Sequence, residues 1–306
     1  MCAAINRAAA GPVRLVLVTG HAFGIRAFEG IFASSAFLDG NIKVSLLIGL
    51  DDSRAAATVG YQPLSHLAAE QGVPYIGTFD GRLSSLADRI RDIGPAYLIV
   101  IGWSYLVGTD ILSIPAAGSI GMHPSPLPLG RGQAPIPWTI IKGLKRTALS
   151  VFFLAEAADA GPVIARYDLD VRDNETSASL FYRVGHVHFT AGLDLAERIG
   201  GGAVTAQAQD EAAATRWPRR RPADGEIKDT MTAAAIEALV RALLGPYPRA
   251  FAWVDGERVA VRGVERAQCP PLADGDRDRS GQGTQRRIPF RCADGLVHLL
   301  PDVAAG

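Results

Sequence analysis

The chain has 306 residues, 48% of them hydrophobic and 20% charged, and its 31 basic side chains balance its 31 acidic ones. That length supports one large core or two ordinary ones, and the zero net charge argues against a dedicated nucleic-acid surface. Three cysteines, Cys2, Cys269 and Cys292, are too few and too scattered for a disulfide framework or a zinc site. They predict a reducing cytoplasm, and no apolar run approaches the roughly 18 residues of a membrane helix.

Residues 1–12 read as a disordered lead-in, because their small apolar patch lacks the charge order and length of a signal core. Residues 14–20 (RLVLVTG) read as a buried parallel strand. The loop Gly20-His21-Ala22-Phe23-Gly24 follows, then a helix over 25–34 and a strand over 42–48. That loop lacks the third glycine of a dinucleotide fingerprint, and no acidic residue takes the ribose position. A helix is predicted over 63–71, a short strand over 73–76, an amphipathic helix over 83–93 and a buried strand over 96–101. Residues 120–123 enter the sheet, 134–143 form a helix, and 150–154 and 163–169 are strands before a long helix over 176–199. His186 and His188 alternate within that helix and face different sides, so no metal site is expected. The alternation predicts an α/β fold with a doubly wound, mostly parallel sheet. After it the composition shifts to Gly, Ala and Arg without apolar period, which reads as a linker. A helix over 233–244 and short strands at 250–254, 258–264, 288–292 and 296–299 predict a smaller β-rich, open-barrel-like domain. The polar stretch 268–287 reads as a mobile loop. The expected division is lead-in 1–12, catalytic domain 13–205, linker 206–225 and C-terminal domain 226–306.

Residues 121–138 (GMHPSPLPLGRGQAPIPW) place His123 before a turn stiffened by Pro124, Pro126 and Pro128, which remove backbone donors and fix φ. About 35 residues later Asp159 stands between small residues in ADAGPVI (158–164). An imidazole and a carboxylate at the ends of neighbouring strands suit proton chemistry in a crevice. Ser125 lacks a Gly-x-Ser-x-Gly elbow and reads as a turn residue, not a nucleophile.

This stretch resembles the 10-formyltetrahydrofolate-dependent formyltransferase family, which includes methionyl-tRNA formyltransferase and the sugar N-formyltransferases. His123, Pro124, Ser125, Leu127, Pro128, Arg131, Gly132, Asp159 and Gly161 fall on its pattern. RRPADGEI (220–227) with LVRALLGPYPRAFAWV (239–254) resembles its second domain. One position departs: the family's catalytic Asn, two residues before the His, is replaced by Gly121. The resemblance implies a Rossmann-like catalytic domain and 10-formyltetrahydrofolate as co-substrate. It implies His123 and Asp159 as catalytic residues, with folate beside Trp103, Ser104, Tyr105, Leu106 and Asp159. The acceptor is expected against His21, Phe23, Gly24, Ser125, Arg131 and Gln133. Formyl transfer to a small amine, an amino sugar nucleotide or a natural-product amine, is the leading expectation. A same-fold hydrolase, a transferase of another acyl group, or a non-catalytic binding protein are the alternatives. Transfer RNA is not expected as acceptor, although Arg216, Arg219, Arg220 and Arg221 could meet a nucleotide's phosphates.

Overall fold

The computed structural model describes residues 11–202, 204–266 and 286–302. Nearly all of the lead-in and of the 268–287 loop, with Cys2 and Cys269, lies outside the described residues. In chain order the first elements are β1 (Val13–Val18), α1 (Ala22–Phe32), α2 (Ser35–Leu38), β2 (Ile42–Leu50), α3 (Ser65–Gln71) and β3 (Tyr75–Thr78). Next come α4 (Ala87–Ile93), β4 (Tyr97–Ile101), α5 (Thr109–Leu112), β5 (Gly118–His123), β6 (Arg131–Gly132) and α6 (Pro135–Ile141). β7 (Arg146–Phe153), β8 (Val163–Asp170), α7 (Ser177–Gly201), β9 (Arg216–Trp217) and α8 (Ala233–Ala242) follow. β10 (Ala250–Val254), β11 (Glu257–Arg266), β12 (Ile288–Cys292) and β13 (Gly295–Pro301) complete the described chain.

Continuous runs of Val, Ile and Leu make β1, β2 and β4 buried on both faces. Val16 and Val18 join one apolar cluster with Leu46, Ile48, Leu98 and Val100, while Leu15 and Leu17 are equally buried. Each such side chain contributes about 1.5–3 kcal/mol on leaving water. The seven strands run in the order β3-β2-β1-β4-β5-β7-β8. β1 to β5 pair in parallel, but β7 pairs antiparallel with both β5 and β8. The order reverses between β1 and β4, and a crevice opens beyond the carboxyl ends of strands at such a switch point. His21 follows β1 there, and an added Cβ on Gly102, just past β4, would meet the His21 Cβ at 2.6 Å.

The β7–β8 connection turns back along the sheet. It leaves at the level of Ser119, whose carbonyl accepts from the Leu154 amide at 2.7 Å. Leu154 then lies over Gly121, and Asp159 reaches His123, two residues further along β5. Gly161 closes the loop, where any Cβ would stand 1.7 Å from the Phe153 carbonyl oxygen.

Contacts divide the chain into two compact units whose boundaries interleave. The first runs to Pro135 and takes in Arg146–Asp170 and Phe181–Pro218; the second joins Ile136–Lys145, Val171–Leu180 and the chain from Arg219. In the second unit β10-β11-β13-β12 form an antiparallel half-barrel sheet. Ile236, Leu239 and Val240 of α8 pack on Val261, Val297 and Leu299 of that sheet. The segment expected as a linker is partly built into the first unit: β9 pairs with β6, and Val163 and Gln207 exchange backbone hydrogen bonds at 2.8 Å.

Candidate active site

His123 is the last residue of β5, and the proline-rich turn after it folds back on the ring. Ser125 and Leu127 donate backbone N–H groups to the carbonyls of His123 and Ser125. The Ser150 hydroxyl on β7 donates to the Ser125 carbonyl at 2.7 Å and accepts from Leu127 N. The turn thereby delivers the Gly130 carbonyl to His123 Nε2 at 2.9 Å. Gly130 is itself held by its N–H donating to Thr215 Oγ1 at 2.8 Å. A carbonyl oxygen only accepts, so Nε2 carries the proton. Nδ1 is then the basic nitrogen of the neutral ring, and it faces Asp159 Oδ1 at 4.0 Å.

Asp159 stands at φ 59, a left-handed conformation that costs a non-glycine residue about 1–3 kcal/mol unless its surroundings hold it. Two bonds hold it and a third holds its loop. Gly132 N–H donates to Oδ2 at 2.8 Å. The Gln209 side-chain amide donates to the carbonyls of Asp159 and Gly161, at 2.8 and 2.7 Å. With Oδ2 engaged, Oδ1 is left facing His123 Nδ1. Two acceptors 4.0 Å apart form a notch for one N–H or O–H donor.

The other expected residues divide into inward-turned and open ones. Ser125 is fully buried and its hydroxyl has no partner. Arg131 is 2% exposed; it pairs bidentately with Glu211 at 2.9 and 2.6 Å and donates to Gln209 Oε1. Glu211 holds the guanidinium firmly charged, and Arg131 in turn lowers the Glu211 carboxyl. Ser125 and Arg131 are thus both buried around the turn that follows His123. Phe23 and Gly24 are also buried in the first turn of α1. Phe23 stacks on Phe181 and His188 with centroids 4.3 and 4.5 Å apart. His21 caps α1, its Nδ1 accepting from Phe23 N at 3.0 Å, and burial pushes its pKa down to about 4. His188 is pushed down to about 3 by burial, and its Nδ1 donates to the Val184 carbonyl. Gln133 is exposed beside Ala134 at φ 56.

Beyond β4, Trp103 donates its indole N–H to Gly81 O at 3.2 Å, and the Tyr105 hydroxyl accepts from Arg54 at 2.9 Å. Ser104 is exposed and Leu106 is 84% exposed. A cavity of about 420 Å3 in the second unit, lined by Trp138, Arg220, Met231 and Leu239 among others, contains none of these residues. Sequence reasoning missed Gln209, Glu211 and Thr215. They lie in a stretch without apolar period, and nothing in their spacing marks them.

The chain is thus an α/β protein whose mostly parallel sheet carries an imidazole and a carboxylate 4.0 Å apart beside the end of β5. The Formyl transferase family profile matches residues 61–193, and the profile for Formyl transferase, C-terminal domain, matches 220–300. The chain belongs to the formyltransferase family and is a formyltransferase. Among solved structures it is similar to methionyl-tRNA formyltransferase from Clostridium thermocellum, at 20% identity and TM-score 0.60, covering 83% of this chain and 94% of that one. It is similar to the N-formyltransferase from Helicobacter canadensis in complex with folinic acid and dTDP-3-aminofucose, at 13% identity and TM-score 0.69, covering 95% and 100%. HypX from Aquifex aeolicus in complex with tetrahydrofolic acid matches at 15% identity and TM-score 0.60, covering 94% of this chain and 43% of that one. Among the described residues, no helix is long and apolar enough to cross a membrane.

Proposed function

We propose that this enzyme transfers the formyl group of 10-formyltetrahydrofolate to the primary amine of a small acceptor, an amino sugar nucleotide or a natural-product amine. The observation that carries this reading is the notch: His123 Nδ1 and Asp159 Oδ1 face each other at 4.0 Å, while Nε2 is committed to Gly130. An amine N–H seated between two acceptors is oriented, and its lone pair is left free to attack. The nitrogen attacks the formyl carbon, and His123 Nδ1 takes the amine proton. The C–N bond to the folate nitrogen then breaks, and a proton returns to that nitrogen. The products are the formamide and tetrahydrofolate, with no net proton change. Asp159 holds the imidazolium between the two steps. The chain's zero net charge supports a small acceptor over tRNA, and its few scattered cysteines support a cytoplasmic enzyme. The folate is assigned to the side of the crevice bordered by Trp103, Ser104, Tyr105, Leu106 and Asp159, and the acceptor to that of His21 and Gln133.

A second reading, hydrolysis or transfer of another acyl group, is favoured by one observation. Leu154 covers Gly121, so an apolar side chain lies where the family carries an amide donor. Incubation with 10-formyltetrahydrofolate separates the two. Formamide formation on an amine supports transfer; formate release without amine modification supports hydrolysis.

A further inference from the structure

Gln209 joins two parts of the site that the strands do not connect. Its Oε1 accepts from Arg131 Nε and Nη2 at 3.1 and 2.9 Å. Its Nε2 donates to the carbonyls of Asp159 and Gly161. A guanidinium on one side only donates and two carbonyls on the other only accept, so the amide has a single workable orientation. Arg131 is a rigid anchor for it, being buried, paired with Glu211 and fixed at its backbone by β9. Asp159, by contrast, sits at φ 59 on a loop that β7 and β8 do not pair.

We infer that Gln209 is the positioning residue of this site, transmitting the fixed place of Arg131 to the Asp159 loop so that Oδ1 stays aimed at His123. Arg131 and Glu211 act through it rather than on the substrate. The inference rests on the assignment of Asp159 to catalysis. The ionisable groups around Asp159 and its clamp are His123, Arg131 and Glu211, with Arg216 acting on Glu211.

The test compares Gln209→Leu, the milder Gln209→Asn and Asp159→Asn in the full chain. The first readout needs no ligand: the Gly132 amide donates to Asp159 Oδ2, so its NMR shift and hydrogen-exchange protection report where the carboxylate stands. The second is turnover of 10-formyltetrahydrofolate with an aminated nucleotide sugar as acceptor. Gln209→Leu is expected to remove Gly132 protection while the global unfolding midpoint holds. It should lower kcat on the order of tenfold or more, the scale of a misplaced reacting group, with KM within about threefold. Gln209→Asn should fall between parent and Gln209→Leu on both readouts. Unchanged Gly132 protection in Gln209→Leu overturns the inference, as does full turnover in Gln209→Leu beside a dead Asp159→Asn. Full turnover in Asp159→Asn instead defeats the catalytic assignment, and the role given to Gln209 falls with it. If the parent turns over no such acceptor, Gly132 protection alone decides.

Discussion

Gly121 stands where the sequence resemblance leads one to expect an asparagine, and its surroundings say what that residue would meet. Replacing it by asparagine adds a Cβ that would stand 2.7 Å from Leu154 Cδ2, 3.4 Å from its Cγ and 3.5 Å from Phe152 Cε1. The closest contact is shorter than packing allows, so Leu154 must rotate or the loop must lift. Leu154 packs against the apolar cluster of Val100 and Trp103, and it lies five residues before Asp159 on the same loop. Overpacking of this kind costs about 1–3 kcal/mol. A restored donor would return about 2.7–4 kcal/mol of transition-state stabilisation, but only with the Asn, His123 and Asp159 all in place. We expect misplacement to win: Gly121→Asn should be less stable and slower. Leu154→Ala removes the obstacle, so Gly121→Asn combined with Leu154→Ala should show a favourable coupling of about 1–3 kcal/mol in a double-mutant cycle. Chemical denaturation of the four proteins, with formyl-transfer rates for each, measures both quantities. A Gly121→Asn protein as stable as the parent and faster with formyl-folate would show that Leu154 is no obstacle, as would strictly additive stabilities.

His123→Ala and Asp159→Asn should each abolish transfer while the fold persists, and the double variant should lose little more, because the two act as one unit; steady-state rates of the three variants check this. His21 and His188 are held neutral by burial, at about 4 and about 3 against an ordinary 6.5. The unfolded chain therefore takes up protons first as pH falls. Stability should be full above pH 6.5 and decline as pH drops from 6.5 towards 4, by about 1.4 kcal/mol per pH unit for each histidine. Denaturation midpoints across that range should show the slope, and His188→Phe should remove about half of it. Tetrahydrofolate or its 5-formyl form at about a hundred times its Kd should stabilise the fold by about 2.7 kcal/mol; an unmoved thermal transition at saturating folate would count against the donor assignment.

The sheet and its helices were legible because apolar runs such as 96–101 and helical spacing such as 83–93 are local signals. His123 and Asp159 were legible because prolines and glycines mark their loops. Three features were not. β7 begins at Arg146 rather than Ser150 and runs antiparallel, a choice made by pairing with β5 and β8 and not by residue preference. The turn of loop 154–162 along β5, which seats Leu154 over Gly121, is tertiary and leaves no mark in the sequence. Gln209 and Glu211 look like solvated residues of a linker, because the partners that hold them are 50 and 80 residues away. The burial of Arg131 was hidden for the same reason, because it depends on Glu211, a carboxylate 80 residues away.

If the His123–Asp159 notch passes a formyl group from folate to an amine, the label of the donor must appear on that amine. The most direct measurement is mass spectrometry of a panel of amines, led by aminated nucleotide sugars, after incubation with isotopically formyl-labelled 10-formyltetrahydrofolate and either the parent enzyme or His123→Ala. One amine should carry the labelled formyl group in place of a hydrogen, with tetrahydrofolate released in equal amount, in the parent only. Labelled formate with every amine unmodified, or labelled product undiminished in His123→Ala, would contradict it.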